Sequence, residues 1–426
     1  MAWTSALPLA LALDDKVPAL LFKVSRYPLS HGSLGAIRSL GRLGVPVHAV
    51  VEDRLAPYSF SRYLTSCIVM PAHAMRDPLA IPAELIGAAR ALGDKPILIP
   101  TDDEAALLMS RHADELRPHF RYHDLNPELV SALTSKFGLS KLCRKHNVPT
   151  PQTCFARSPG EVAAALRAMQ FPVVVKNSEP WIRLSTPAVG ATTVVATRDE
   201  LLAMAAKWEG NPQVVIQEYI PAEEAEDWIF HACCDYASRP LVAFTGLKQR
   251  SWPPRAGVTT AAISLPNEQL RELATGFLRA IGYRGIVDMD WRFDRRDGQY
   301  KLLDFNPRTG ANFRLFTDEN DLDVIRAMHL DLTGRPAPYA PQRSGRRLIV
   351  ENLDMPSRLF GGRGDGADKC AKSVEYAWFA ADDPLPFAAM AVRFGATALK
   401  RLPSMILGAT GFSARARIRP TKAPTT

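Results

Sequence analysis

The stretch of sequence that decides the fold is residues 285–308, GIVDMDWRFDRRDGQYKLLDFNPR. Apolar and polar residues alternate on both sides of the turn RRDG, which is the pattern of two antiparallel strands joined as a hairpin. Because side chains alternate between the two faces of a strand, Asp288 and Asp290 share one face of the first strand. For the same reason, Asp304 and Asn306 share one face of the second. We therefore predict a hairpin on which carboxylates from neighbouring strands converge.

The oxygen atoms of this hairpin form a donor set that suits a divalent cation. Asp290, Asp304 and Asn306 offer the hard ligands that Mg²⁺ prefers, and phosphate and water usually complete its coordination. Arg308 follows directly, where a guanidinium can hold an anionic group through two hydrogen bonds. The alternative is an ordinary acidic hairpin with solvated carboxylates. The apolar residues around Phe305 favour the metal site, because a buried carboxylate needs a partner.

Two lysines and one strand end upstream are weaker features. Lys176 ends the apolar strand FPVVVK, and Lys136 lies on a helix predicted over residues 127–147. Two ammonium groups near a triphosphate would neutralise its charge, although either lysine alone is usually a surface residue. The strand QVVIQEYIP, residues 213–221, is stopped by proline and followed by acidic residues. Its end could meet an adenine edge, but the ordinary interpretation of this pattern is a strand followed by a solvated acidic turn.

The first 130 residues alternate strand and helix patterns, which predicts a parallel sheet with crossover helices. A turn at residues 30–35 follows the first strand, and Glu52 and Asp53 end the second, as in dinucleotide-binding proteins. The turn reads SHGSLG, however, and lacks the G-x-G-x-x-G spacing that lets the backbone approach a pyrophosphate. An NAD site is therefore disfavoured.

Charge and composition exclude several classes of protein. The chain of 426 residues has a net charge of +8, but residues 385–426 hold seven basic and no acidic residues, so the rest is nearly neutral. A nucleic-acid surface is therefore not expected. Within residues 386–407, apolar and basic side chains fall on opposite faces of a predicted helix. That helix either docks on the body or makes peripheral membrane contact through residues 386–426.

The six cysteines contain no C-x-x-C pair, so a zinc or thioredoxin motif is not expected. They are most simply reduced thiols in a cytoplasmic protein. Residues 1–13 resemble a short signal sequence but lack its positive start, and we expect a frayed N-terminus instead.

Taken in order, these motifs resemble the ATP-grasp superfamily. The similarity spans about residues 20–335 and is most specific at VVVK (173–176), QEYIP (217–221) and the hairpin at 285–308. Within the superfamily the chain is most similar to the carboxylate–amine ligases and the D-aspartate-ligase-like proteins. It departs from the family in a glycine-poor phosphate loop at residues 177–193, and in two aspartates where relatives often have glutamate.

The resemblance implies a mixed α/β and α+β fold in four parts. An N-terminal, Rossmann-like parallel-sheet domain would cover residues 1–126. The smaller ATP-grasp lobe would cover 127–212, and the larger lobe with the metal site 213–336. A C-terminal extension with the basic helix and tail would cover 337–426.

The resemblance also implies roles for individual residues. The ATP site would be formed by Lys136, Lys176, Gln217, Glu218, Tyr219, Ile220, Glu226 and Asp227. Mg²⁺, with Mn²⁺ as the alternative, would be held by Asp290, Asp304 and Asn306. The reacting acyl phosphate would be faced by Arg308, Lys248 and Arg250. The acid and the amine would be met by N-terminal loops, at Ser25–His31 and Thr101–Glu104, and by side chains near Lys248–Arg255.

The implied activity is an ATP-dependent ligase that joins a small carboxylate to an amine, or to a thiol-type acceptor, through an acyl phosphate, with release of ADP and phosphate. An amino acid, a small peptide, or a cell-wall or natural-product precursor would be the substrate. A homodimer is expected because similar ligases are commonly dimers. Two alternatives remain: a bicarbonate-activating carboxylase of the same superfamily, and a nucleotide-binding regulatory protein without turnover.

Overall fold

The structure is a computed structural model that describes residues 11–74, 76–93, 95–167, 169–179, 189, 192–208, 212–253, 257–360 and 371–397. Its described strands form three sheets, of four, seven and four strands. The predicted mixed fold with an N-terminal parallel sheet is confirmed. The predicted boundaries of the four parts stay predictions.

The first sheet is parallel, in the order β3-β2-β1-β4. Its strands are short and apolar, and all four residues of the first strand are buried, as expected when helices cover both faces. Its elements are β1 (Ala19–Phe22), α1 (His31–Gly41), β2 (Val47–Val51), β3 (Ser66–Val69), α2 (Ile81–Leu92), β4 (Ile97–Pro100), α3 (Asp103–Arg111) and α4 (Ala113–Leu116). The turn predicted at residues 30–35 is in fact the start of α1, because the Ser30 side chain caps the helix by accepting from the Ser33 amide.

The second sheet is antiparallel, in the order β5-β8-β6-β7. Its elements and the two helices before it are α5 (Pro127–Thr134), α6 (Lys136–Lys145), β5 (Thr153–Ala156), α7 (Pro159–Ala165), β6 (Val173–Asn177), β7 (Thr193–Val195), α8 (Arg198–Ala205) and β8 (Val214–Glu218). The single helix predicted over residues 127–147 is broken at Ser135. That residue has extended backbone and accepts a hydrogen bond from the Gly138 amide, so a new helix begins at Lys136.

The third sheet has seven strands in the order β13-β12-β9-β10-β11-β14-β15. Its elements are β9 (Ala225–Cys234), β10 (Pro240–Trp252), β11 (Val258–Ser264), α9 (Glu268–Ala280), β12 (Gly285–Asp294), β13 (Gln299–Asn306), α10 (Val324–Leu332), β14 (Arg346–Ile349), α11 (Glu351–Phe360) and β15 (Ser373–Tyr376). The predicted hairpin is the antiparallel pair β12–β13.

The segment after residue 336 is part of the core rather than a loop appended to it. Strands β14 and β15 extend the large sheet, and Trp378 is fully buried. Arg38 of α1 and Asp383 form a buried ion pair at 2.9 Å that ties this segment to the N-terminal sheet.

Residues 385–397 are helical, and their apolar face is turned inward. Met390 is buried, and Phe387 and Phe394 pack against the same hydrophobic cluster as α1. Arg393 pairs with Asp53 at 2.9 Å, at the end of β2. This part of the basic helix is therefore docked on the body, and membrane contact through it is not supported. Residues 398–426 lie outside the part of the chain that the structure describes. Within the described part, no helix is long and apolar enough to cross a bilayer.

Candidate active site

The hairpin β12–β13 brings four polar side chains to one face of the large sheet. Asp288 lies opposite Asn306, and Asp290 lies opposite Asp304, so the pairs stack along the two strands. Arg308, just beyond β13, closes the row. Its Nη2 donates to Asn306 Oδ1 at 3.0 Å, and its Nη1 lies 3.4 Å from Asp288 Oδ2. We call these five residues the carboxylate cluster.

Two of the predicted lysines lie directly on the carboxylate cluster. The Lys136 ammonium donates to Asp304 Oδ1. Lys136 can do so because the break at Ser135 places it at the first turn of α6. Lys248 of β10 reaches across β9 and lies 2.7 Å from Asp290 Oδ1. Each principal carboxylate thus has its own ammonium partner.

The third predicted lysine comes from the other lobe. Lys176 ends β6 of the small sheet, where burial and the nearby Lys136 ammonium lower its pKa to about 8. The carboxylates of Asp304 and Asp290 act on Lys176 in the opposite direction. Lys176 therefore lies within electrostatic range of the carboxylate cluster, and the Lys136 amide donates to Ser178 O at 2.8 Å, just beyond β6.

The protonation of the three carboxylates follows from their surroundings. Burial raises the pKa of Asp290. Burial also disfavours the charged form of Asp304, but Lys136 and Lys176 outweigh it and lower the pKa. At Asp288, burial is outweighed by His231 and Arg308, and the pKa falls to about 2. The carboxylate cluster thus keeps negative charge in a partly buried place, which a divalent cation can use.

The donors present fit Mg²⁺ only if the substrate completes its coordination. Among the residues that the structure describes, no three His, Cys, Asp or Glu side chains are grouped to hold a metal by themselves. Asp290, Asp304 and Asn306 supply two carboxylates and one amide oxygen on adjacent strands. Mg²⁺ typically takes one or two carboxylates and keeps phosphate and water ligands, so the set is suitable.

The residues predicted to bind adenine lie at the end of β8. Glu218 is held by Arg296 at 2.5 Å, and Lys301 lies 3.5 Å from it. The buried Gln217 donates to Thr153 Oγ1 at 3.1 Å, inside the small sheet. Tyr219 is half-buried, and Ile220 is buried with its carbonyl accepting from Arg292 at 3.1 Å. Of these side chains, Glu218 and Tyr219 are at the edge of the lobe, while Gln217 packs inward.

Both residues predicted to bind ribose are ion-paired. Asp227 accepts from Arg292 at 2.7 and 2.9 Å, and Glu226 accepts from Arg295 at 2.8 Å. Arg292 was missed from the sequence, although it directly opposes Asp227 between β12 and β9. Its position two residues beyond Asp290 on one strand is the pattern that could have identified it.

The structure places two further residues against the carboxylate cluster and one predicted residue away from it. Asp103, at the start of α3, accepts from Arg308 Nε at 3.1 Å and lies in the segment predicted to meet the substrates. The fully buried His231 lies 3.0 Å from Asp288. Arg250 instead pairs with Asp354 of α11 at 2.7 Å, with both side chains at most 7% exposed. The structure therefore does not bring Arg250 to the carboxylate cluster.

Part of the predicted phosphate loop lies outside the described residues. Only 177–179, 189 and 192–193 of it are described, so Trp181, Arg183 and Gly190 are not. The same holds for residues 254–256 of the segment predicted to contact substrate, and for Cys370. The five described cysteines are free thiols.

No family model matches the chain. The D-aspartate ligase of Enterococcus faecium (strain Aus0004) is 26% identical over 329 residues, which cover 73% of this chain and 77% of that protein. These values establish a relative of the predicted kind.

Three solved structures show the same fold at low sequence identity. N5-carboxyaminoimidazole synthetase from Staphylococcus aureus matches with a TM-score of 0.58 and 12% identity, over 82% of this chain and 88% of that one. The biotin carboxylase domain of Hydrogenobacter thermophilus 2-oxoglutarate carboxylase, in complex with MgADP and bicarbonate, matches with a TM-score of 0.58 and 14% identity. The match covers 78% of this chain and 73% of that one. L-amino acid ligase from Bacillus licheniformis matches with 0.55 and 15%, over 77% of each chain.

The chain therefore has the ATP-grasp fold. The predicted resemblance to ADP-forming carboxylate–amine ligases of that superfamily is confirmed by the D-aspartate ligase relative.

Proposed function

We propose that the protein is an ATP- and Mg²⁺-dependent ligase that joins an amino-acid carboxylate to an amine through an acyl phosphate. The observation that carries this proposal is the convergence of Lys136, Lys176 and Lys248 on the two carboxylates Asp290 and Asp304. The three lysines come from a helix and from two different sheets, so elements that are distant in sequence bring them to the same site. Such a set of cations and metal ligands is suited to phosphoryl transfer.

In the first half-reaction, the substrate carboxylate attacks the γ-phosphate of ATP, and ADP leaves. Lys136 and Lys176 neutralise charge on the phosphates, and Lys248 holds the Asp290 carboxylate in position. Asp290, Asp304 and Asn306 would hold Mg²⁺, which when bound supplies charge neutralisation to the phosphate oxygens. Arg308 is oriented by Asp103 and Asn306, so its guanidinium is presented to the anionic substrate in a fixed plane.

In the second half-reaction, the amine attacks the acyl carbonyl, and phosphate leaves. No nucleophilic side chain is required for either step, because the protein positions reactants and neutralises charge. We assign adenine to the edge formed by Glu218, Tyr219 and the Ile220 backbone. Ribose is assigned to Asp227 or Glu226, each of which is held in place by an arginine.

The fold does not separate ligases from carboxylases, since structures of both kinds match with TM-scores of 0.55 to 0.58. The relation to D-aspartate ligase favours amide formation, and it makes D-aspartate the first carboxylate to test. We infer a cytoplasmic enzyme from the five free thiols, which persist in a reducing compartment.

Hydroxylamine trapping tests this function. The purified protein is incubated with Mg·ATP, hydroxylamine and either D-aspartate or pools of amino acids and small carboxylic acids. Hydroxamates are detected by mass and ADP by a coupled assay. A hydroxamate that depends on ATP supports acyl-phosphate chemistry and identifies the carboxylate. Neither hydroxamate nor ADP from any pool would contradict the proposal and favour a binder without turnover.

A further inference from the structure

A cavity lies beside Arg308, where the N-terminal sheet meets the large sheet. It has a volume of about 50 Å³, enough for a few non-hydrogen atoms. On one side it is bounded by residues around β4, and on the other by the start of β12 and the segment after β13. Its apolar wall is formed by Leu98, Pro100, Met109, Leu125, Ile286 and Met328.

Three polar residues of this cavity carry buried atoms without a hydrogen-bond partner. These atoms are His123 Nδ1, Arg284 Nε and Thr309 Oγ1, and no residue of the described chain pairs with them. A buried polar atom left unpaired costs about 1–3 kcal/mol. Three of them around one small cavity indicate that the cavity is built for a polar molecule.

His123 is arranged as a proton acceptor. Its side chain is 1% exposed, and its Nε2 lies 2.6 Å from Asp331 Oδ2 of α10. A carboxylate accepts, so this hydrogen bond selects the tautomer with the proton on Nε2 and leaves a lone pair on Nδ1. The same logic of an imidazole oriented by a carboxylate operates in catalytic triads. A Cβ at position 285 would lie 3.1 Å from His123 Cβ, so the glycine there leaves room for the histidine.

Arg308 connects this cavity to the proposed reaction, because it lines the cavity and also belongs to the carboxylate cluster. The second half-reaction needs a proton acceptor: an aliphatic amine is an ammonium ion near neutral pH and has no free electron pair. We propose that this cavity admits the amine substrate and that His123 is the catalytic residue that removes its proton. This inference rests on the proposed function.

One proton passes from the ammonium to His123 Nδ1, while Nε2–H stays hydrogen-bonded to Asp331. The freed electron pair on nitrogen forms the C–N bond, and the bond from the acyl carbon to the phosphate oxygen breaks. The phosphate leaves with the electron pair of the broken C–O bond. The second excess proton on nitrogen passes to the departing phosphate. Thr309 and Arg284 supply further polar contacts to the cavity.

A competition between two nucleophiles tests this inference. Ethylamine needs a proton acceptor, whereas hydroxylamine is largely neutral near neutral pH and does not. The enzyme, Mg·ATP and D-aspartate, or the carboxylate that trapping identifies, are mixed with both nucleophiles, and the ratio of ethylamide to hydroxamate is measured by mass. For His123→Gln we expect this ratio to fall about 100-fold or more. For Asp331→Asn, a positioning residue, we expect a smaller fall in the same ratio.

The matched control is His112→Gln, since His112 also pairs with a carboxylate, Glu115, but does not line the cavity. Its ratio should equal that of the wild type. Thermal melts verify that each variant is folded, and because both products come from one reaction, a general loss of folded enzyme cancels from the ratio.

Two results would overturn the inference. One is an unchanged ratio in His123→Gln, which would mean that the cavity holds only water. The other is a wild-type enzyme that forms hydroxamate but no ethylamide, which would mean that no small amine is admitted. Absence of both products in the wild type would instead be a failure of the proposed ligase function, so the two failures are distinguishable.

Discussion

The two ends of the hairpin β12–β13 carry similar charges but are built in opposite ways. At the turn end, Asp294 is paired with Arg296 and Lys301, which come from the same hairpin. At the open end, Asp290 and Asp304 are paired with Lys248 and Lys136, which come from other elements of the chain. At the turn end the buried Asp294 thus finds both of its cationic partners within the hairpin, and the same two cations also reach Glu218 at the end of β8. The open end depends on distant elements, which is what a site between lobes requires.

The largest expected effect comes from breaking the open end. Asp304→Asn removes a carboxylate from the proposed metal site, and we expect turnover to fall about 1,000-fold or more, because charge stabilisation at the phosphates is lost. Steady-state ADP release measures this. Asp297→Asn, on the turn of the same hairpin, is the matched control and should keep the wild-type rate. Equal rates for wild type and Asp304→Asn would remove the metal assignment.

Breaking the turn end should lower stability rather than activity. Asp294 is fully buried, and its hydrogen bonds with Arg296 and Lys301 hold its pKa well below the usual range. Asp294→Asn should cost about 3 kcal/mol of unfolding free energy, since the buried carboxylate that binds both cations is lost. Urea denaturation measures this loss. A depressed carboxyl pKa stabilises the fold above pH 3.8 and loses that effect as the pH falls further, so the difference between wild type and variant should shrink in acid.

A drop in kcat with unchanged stability in Asp294→Asn would contradict this prediction, because it would show that Asp294 acts on the reaction and not on the fold.

The charge of Lys176 gives a pH-dependent test of the open end. Its pKa of about 8 means that the ammonium is charged below that pH and neutral above it. ATP should therefore bind about tenfold more weakly at pH 9 than at pH 7, because only about one-tenth of the Lys176 side chains are still charged at pH 9. Calorimetry measures this. Lys176→Arg stays charged and should bind equally at both pH values, and the same pH dependence in that variant would exclude Lys176 as its source.

The smallest expected effect concerns the break before Lys136. Ser135→Ala removes the cap that starts α6, which is worth about 1 kcal/mol. We expect a decrease of that size in unfolding free energy and a loss of about fivefold in turnover, because Lys136 is less well positioned. Ser158→Ala removes the equivalent cap of α7 and is the control, with lower stability but unchanged turnover per folded molecule. Equal turnover losses in both variants would show that capping acts only through stability.

What could be read from the sequence was mostly local. Alternation around the turn RRDG predicts the hairpin, and strand geometry alone places Asp290 opposite Asp304. The partners of those carboxylates required the fold: Lys136 reaches Asp304 only because the helix breaks at Ser135. Asp103 meets Arg308 across 205 residues, and no local pattern indicates such a distance.

The place of the segment after residue 336 in the core could not be predicted from the sequence for a similar reason. Strands β14 and β15 have four residues each and show too short an alternation to be recognised. They form because β11 offers a free edge, and the buried Trp378 then fixes the segment against α1. His123 and Asp331 are 208 residues apart, so their pairing likewise exists only in the folded chain.

The most direct test of the central claim is the fate of oxygen from the substrate carboxylate. The carboxylate that trapping identifies, with D-aspartate tested first, is labelled with ¹⁸O at the carboxyl group that is ligated and turned over with Mg·ATP and an amine. If an acyl phosphate forms, one labelled oxygen must pass to the released phosphate and the other must stay in the amide. Labelled phosphate in a one-to-one ratio with amide is the predicted result. Unlabelled phosphate released together with amide would contradict the account.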